Sequence, residues 1–273
     1  MRLGRRPAAT RHATRDGVRL AFEELGAGDP LVFVHGLAYD RRGWGPLPRL
    51  LAEDFRVVLV DNRGVGDSDA PPGPYSVSAM ADDVVAVLDA GGIDRANLFG
   101  VSLGGFIAQE LALAHPERVR RLVLCSTSPG GPDAFPMPAA GIEAFARYPT
   151  MEREAGLRLM AENSLGDQGV RERPELAEEI YRYRLARAPS VAAWEAQRAA
   201  SSAWDAGDRV SGIAAPTLVI HADADTVIDV RNGELLAERI PSARMLRIPD
   251  RGHLVMWQEG EMLAPIVRDF LHE

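Results

Sequence analysis

Two hydrophobic periods alternate along this chain, and that alternation limits its possible folds more than any other feature. Short apolar runs bounded by Gly, Pro and Asp recur at Leu31–Val34, Val57–Val60, Asn97–Val101, Arg121–Cys125, Thr217–His221 and Met245–Ile248. They are rich in Val, Leu and Ile with little in–out alternation, the pattern of strands buried on both faces of a parallel sheet. Between them the period lengthens to that of a helix. Ser78–Ala90 carries Met80, Val84, Val87 and Leu88 at helical spacing, with Gly91-Gly92 past its end. Leu103–His115 carries Phe106, Ile107, Leu111 and Ala114 before Pro116 stops it. Glu234–Ile240 and Glu261–Leu271 continue the pattern. Strand and helix taking turns predict an α/β fold with a mostly parallel, doubly wound sheet. Ahead of it, Asp16-Gly17 predicts a hairpin turn within residues 12–25.

The rhythm fails in one stretch. Residues 130–206 follow a Pro/Gly-rich hinge, Pro129-Gly130-Gly131-Pro132, with Pro136 and Pro138 beyond it, and carry only helical patterning. The expected organisation is a core domain of residues 1–129 and 207–273, with 130–206 an inserted helical cap (lid) over one edge of the sheet. Within it Phe135, Met137, Phe145, Trp194 and Trp204 are candidate substrate-binding residues, since aromatic and Met side chains line apolar pockets. Mutual packing of the cap helices is the competing use of such residues. Arg182, Arg184 and Arg187 offer a contact for a substrate carboxylate, against the plainer role of a solvated helix face.

Composition removes other classes. A chain of 273 residues that is 46% hydrophobic is long enough for one large core. A net charge of -8 argues against nucleic-acid or anionic-membrane partners, although every basic residue is arginine and none is lysine. No apolar run reaches the length of about 18 residues that a membrane span needs. The basic segment Met1–Arg15 contains Arg5-Arg6 with no apolar stretch behind it, so no secretory or twin-arginine signal is expected. The expected location is cytoplasmic, and the oligomeric state stays open. The single cysteine, Cys125, rules out an internal disulfide and a cysteine zinc site.

The chemistry concentrates at Gly100-Val101-Ser102-Leu103-Gly104-Gly105. This Gly-x-Ser-x-Gly string follows an apolar strand and opens a helix, the setting of a nucleophile elbow. Glycines at 100 and 104 keep side chains out of a sharp turn, and the serine hydroxyl then stands at the positive end of the helix. A helix N-cap serine is the bland alternative. Upstream, Leu31–Val34 runs into His35-Gly36-Leu37. The backbone N–H groups of Leu37 and Leu103 are the expected oxyanion-hole donors. His35 itself is expected to be a structural hydrogen-bonder in the turn.

These pieces resemble the α/β-hydrolase superfamily, serine-nucleophile branch, over nearly the whole chain. Val34-His35-Gly36-Leu37, Asp61-Asn62-Arg63-Gly64-Val65-Gly66-Asp67-Ser68, the elbow, His221-Ala222-Asp223-Ala224-Asp225 and Gly252-His253 stand in the family's order. The Asp61–Ser68 loop is expected to shape the floor of the site. Of six histidines, His12 and His272 lie in the termini, His115 ends a helix, and His35 and His221 sit at strand ends. That leaves His253, on the loop where the family carries its general base. The resemblance places the acid at Asp225, with Asp223 and then Asp250 as alternatives, because Ala222 replaces the glycine of the family's Gly-x-x-Asp. A second departure is Trp257-Gln258-Glu259-Gly260, where the family often has Glu-x-Pro.

The implied fold is the α/β-hydrolase fold with a catalytic triad of Ser102, Asp225 and His253. A serine, not an aspartate, at the elbow argues against haloalkane dehalogenases and epoxide hydrolases. The sequence is most similar to bacterial carboxylesterases and enol-lactonases, which implies an acyl-enzyme mechanism on a small-molecule ester or lactone with no cofactor and no metal. Carbon–carbon bond hydrolysis and cofactor-free perhydrolase (haloperoxidase-like) activity share the triad. A biosynthetic acyltransferase or cyclase, or a non-catalytic ligand receptor, also remains open.

Overall fold

The computed structural model describes residues 9–273; the first eight, with Arg5-Arg6, lie outside the described residues. The strands are β1 (Arg11–Arg15), β2 (Val18–Leu25), β3 (Asp29–Val34), β4 (Phe55–Val60), β5 (Ala96–Val101), β6 (Val119–Cys125), β7 (Thr217–Ala222) and β8 (Ala243–Ile248). The helices are α1 (Leu47–Leu51), α2 (Val77–Ala90), α3 (Leu103–Ala114), α4 (Ala139–Arg147), α5 (Arg153–Glu172), α6 (Pro174–Arg187), α7 (Val191–Ala203), α8 (Arg231–Arg239), α9 (Val255–Gln258) and α10 (Gly260–His272).

All eight strands form one sheet in the order β1-β2-β4-β3-β5-β6-β7-β8. β1 pairs antiparallel with β2 and β2 antiparallel with β4, while every later pairing is parallel. The order reverses around β3, so crossovers leave on both faces and the sheet is doubly wound, as expected. Its continuous apolar runs hide a strict period of two. Val32 and Val34 join the cluster under α2 and α3, whereas Leu31 and Phe33 join the one under α1, α9 and α10. β6 divides likewise, with Leu122 and Leu124 on one face and Val123 and Cys125 on the other. Each such side chain, fully withdrawn from water, contributes about 1.5–3 kcal/mol.

Some elements differ from the sequence reading for physical reasons. α1 and α9 are too short to show a helical period, and neither was expected. β8 is half-exposed at the sheet edge and runs further back than Met245, its polar residues masking the strand. Edge arginines Arg244 and Arg247 are the charged protection such a strand needs.

Between β6 and β7 lie α4 to α7 and no strand. An antiparallel bridge between Gly130 and Asp205, with Ala206 N–H donating to the Pro129 carbonyl at 2.9 Å, joins the two ends of this insertion. α5 is broken at Gly166, whose φ of 69° interrupts the helix. The loops after β3, β5, β7 and β8 all leave from the carboxyl edge of the parallel strands, where ligands of such sheets bind.

Candidate active site

Ser102 caps the N-terminus of α3 with φ 54° and ψ −120°, a backbone conformation that a non-glycine residue holds only under constraint. The constraint is visible. Ser102 N–H donates to the Cys125 carbonyl at 3.1 Å, and the Ser102 carbonyl accepts from Gly105 N–H at 2.8 Å and Thr127 Oγ1 at 2.9 Å. Around it the chain tolerates no Cβ: one at Gly104 would lie 1.9 Å from the Val34 carbonyl oxygen, and one at Gly100 2.4 Å from the Gly104 oxygen. The glycines are therefore required by backbone contact between strand and helix.

The turn after β3 lies directly against the serine, since a Cβ on Gly36 would sit 3.0 Å from Ser102 Cβ. Among the described residues, neither Leu37 N–H nor Leu103 N–H donates to a protein acceptor, and Leu103, first in α3, has no intrahelical acceptor. Leu103 N–H thus stands unspent at the positive end of α3, and the turn that carries Leu37 lies against Ser102. His35 is buried, and burial pushes its imidazole down to about 3. Held neutral, it donates from Nε2 to the Gly43 carbonyl at 2.7 Å, accepts at Nδ1 from Gly36 N–H at 2.7 Å, and stacks on Tyr39. The Asp61–Ser68 loop braces this turn from below. Asn62 Nδ2 donates to the His35 carbonyl at 2.9 Å, and Asp61 accepts the backbone N–H groups of Arg41 and Asp67.

The loops after β7 and β8 bring Asp225 and His253 together, with His253 Nδ1 2.8 Å from Asp225 Oδ2. The other carboxylate oxygen accepts from Val227 N–H at 2.8 Å and Ile228 N–H at 2.9 Å. Burial alone raises the Asp225 carboxyl, but the charge of His253 and hydrogen bonds from His221 and His253 outweigh it and hold it well below the usual carboxylate range. An ionised Asp225 keeps the His253 proton on Nδ1 and leaves Nε2 as an acceptor. Asp223 points outward and pairs with Arg247 at 2.9 Å, and Asp250 is exposed in a turn with φ 58°. The described residues form no Ser102–His253 hydrogen bond, a contact that is often loose until substrate binds.

The sequence did not mark His221 as part of this group. It is fully buried, donates from Nε2 to the Ile228 carbonyl at 2.9 Å, and has the same nitrogen 3.3 Å from Asp225 Oδ2. Its one sequence signal is the spacing of four residues to Asp225.

The insertion's expected substrate contacts are placed unevenly. Met137, Phe145 and Trp194 are half-buried. Phe135 is exposed, with the Arg231 guanidinium 4.3 Å over its ring. Trp204 is packed into the core, stacked on Phe106 at 4.7 Å and donating from Nε1 to Glu110 at 3.0 Å. Of the three arginines, Arg182 pairs with Glu178 and Arg187 with Asp40, while Arg184 lies 5.1 Å over the Tyr39 ring. No group of three or more His, Cys, Asp or Glu among the described residues is arranged to hold a metal. No helix among them is long and apolar enough to cross a membrane.

Comparison with known proteins gives the same frame. The family profile described as alpha/beta hydrolase fold matches residues 29–260. A 2-hydroxy-6-oxononadienedioate/2-hydroxy-6-oxononatrienedioate hydrolase of Burkholderia vietnamiensis is 34% identical, over 93% of this chain and 91% of its own. Among solved structures, Est816, described as an N-acyl homoserine lactone degrading enzyme, is 33% identical with a TM-score of 0.83, covering 95% of this chain and all (100%) of that one. The enol-lactonase of Burkholderia xenovorans LB400 superposes with a TM-score of 0.84 at 26% identity, covering 96% and 100% of the two chains.

Proposed function

The chain belongs to the alpha/beta hydrolase fold family, and on that premise we propose that it is a serine hydrolase cleaving a carboxylic ester or lactone through an acyl-enzyme. The observation that carries this reading is the His253–Asp225 pair, standing on the same sheet edge from which Ser102 opens α3. In this reading Ser102 Oγ attacks the substrate carbonyl carbon while His253 Nε2 takes its proton. The imidazolium is stabilised by ionised Asp225 through Nδ1–H. The tetrahedral oxyanion accepts hydrogen bonds from the N–H groups of Leu37 and Leu103 and faces the α3 N-terminus. Collapse transfers the His253 proton to the leaving oxygen, and the alcohol departs, or stays tethered when the substrate is a lactone. Water, deprotonated by His253, then attacks the acyl-enzyme and frees Ser102.

Residues 130–206 act as a cap over this site in the same proposal, with Met137, Phe145 and Trp194 offering its apolar lining. A second reading, hydrolysis of a carbon–carbon bond in an unsaturated keto-acid, has the Burkholderia vietnamiensis relative in its favour. A panel of short-chain p-nitrophenyl esters, N-acyl homoserine lactones, enol-lactones and a dienoic keto-acid separates these. Turnover of esters or lactones by the wild type that vanishes in Ser102→Ala supports the proposal. Ester turnover retained by Ser102→Ala overturns it, and turnover of the keto-acid alone selects the second reading.

A further inference from the structure

The turn that supplies Leu37 N–H is held from below by the sheet and from above by the inserted helices. Ala38, the next residue, has φ 69°, left-handed backbone that an alanine keeps only when something fixes it. What fixes it comes from α7. The fully buried amide of Gln197 accepts Ala38 N–H at Oε1 (3.0 Å) and donates from Nε2 to the Arg63 carbonyl at 2.8 Å. An amide is suited to this place because it both accepts and donates, so one side chain ties the turn to the Asp61–Ser68 loop. Two residues further on, α6 makes a second attachment. The Tyr183 hydroxyl accepts Asp40 N–H at 2.9 Å and donates to Asp40 Oδ1 at 3.0 Å, and its ring stacks on Tyr39 at 5.3 Å. Tyr39 in turn stacks on His35 at 4.5 Å. Burial, reinforced by the Asp40 charge, raises the Tyr183 phenol, which keeps its proton for that bond. Arg187, on the same helix, lies 3.5 Å from the buried Asp40 carboxylate.

We infer that Gln197 and Tyr183 are positioning residues of the oxyanion hole, so that seating of α6 and α7 on the turn at 36–40 and completion of the hole are one event. Substrate contact with those helices then acts on catalysis through two hydrogen-bonded points on the turn, besides any pocket they line. The inference rests on Ser102 being the nucleophile. A hole that forms only under a seated cap spends its donors on the transition state, where charge develops, and adds little to ground-state binding.

The test uses Gln197→Met, which keeps the volume and removes both hydrogen bonds, and Tyr183→Phe, which keeps the stack on Tyr39 and removes the hydroxyl. An ester turned over by the wild type supplies kcat and KM, an alkylboronic acid reports the tetrahedral anion, and the free product acid reports ground-state binding. The expected result is a fall in kcat of about 10–100-fold for Gln197→Met, with KM within about threefold. Boronic-acid affinity falls in step with kcat/KM, product-acid affinity stays unchanged, and Tyr183→Phe shows the same pattern more weakly. Wild-type kcat and boronic-acid affinity in a folded variant overturn the inference, as does a loss confined to KM. If Gln197→Met does not fold, Tyr183→Phe decides alone by the same two readings. A wild type that neither turns over esters nor binds the boronic acid through Ser102 defeats the functional reading instead, which keeps the two failures distinct.

Discussion

The elbow at 100–105 and the turn at 35–40 touch each other, yet they are held by different means. The elbow is held mainly by backbone. Its strained serine is fixed by the backbone of α3 and β6 and by the Thr127 hydroxyl, and its glycines are demanded by contacts with β3 and with its own next turn. The turn is assembled from a distance: Gln197 lies 159 residues along the chain from Ala38, and Tyr183 lies 143 from Asp40. Backbone contact holds Ser102 rigidly. Side-chain contact from a separate group of helices makes the position of the turn dependent on where those helices sit.

The sharpest way to break this contrast is to add one methyl to each half. Gly104→Ala forces a Cβ to 1.9 Å from a strand carbonyl, so soluble folded protein should be lost or its Tm should fall by more than about 10 °C. Gly36→Ala meets Ser102 Cβ at 3.0 Å and the Val101 oxygen at 3.3 Å, gaps that a few tenths of an ångström of movement relieve. It should fold within about 1–3 kcal/mol of wild type yet lose much of its kcat, because the turn shifts against the serine. Thermal melts with parallel ester kinetics check both, and equal melting losses would erase the distinction.

The loop that carries Asp225 belongs with the elbow, since two nearby N–H groups fix the carboxylate. Asp225→Asn should lower kcat by about 10⁴-fold by disturbing the His253 tautomer. Asp223→Asn, which loses only an exposed pair with Arg247, should stay within about twofold of wild type. The reverse ranking in steady-state assays would move the acid to Asp223.

A smaller effect sharpens the account of the turn. Folded His35 takes up a proton only near pH 3, whereas an unfolded histidine does so near 6.5. The unfolded state therefore holds more protons between those values, and stability falls as pH drops through that window, by up to about 1.4 kcal/mol per unit from this residue. Urea unfolding from pH 7 to 4.5 should show a shallower acid slope in His35→Gln than in the wild type. Identical slopes would mean His35 is not buried as a neutral donor to Gly43. The depressed Asp225 carboxyl adds its own loss as pH falls through the ordinary carboxylate range and beyond, most of it below the pH 4.5 end of this series.

The same division decides what could be read in advance. The sheet was legible because strands buried on both faces read as continuous Val, Leu and Ile runs, and Ser102 because glycine at 100 and 104 is a steric necessity that the sequence has to display. The choice between Asp223 and Asp225 stays open in sequence because two residues of spacing cannot say which carboxylate turns inward; the N–H groups of Val227 and Ile228 hold that of Asp225 there. Gln197 and Tyr183 were invisible. The only hint was a polar amide between Ala193 and Ala200 on the buried face of α7, which helical spacing marks as inward but not as reaching a turn near the other end of the chain. His221 passed as the last residue of a strand. Trp204 carried an aromatic signal that reads alike for core and pocket, and its hydrogen bond to Glu110 has no sequence counterpart.

The central claim is that Ser102 is the attacking atom's residue, and covalent trapping tests it most directly. Incubation with an alkyl fluorophosphonate, followed by peptide mass spectrometry, should find one stoichiometric adduct on Ser102, absent from Ser102→Ala and formed far more slowly in His253→Ala. An adduct on any other residue, or none in a wild type that still turns over ester, would contradict the account.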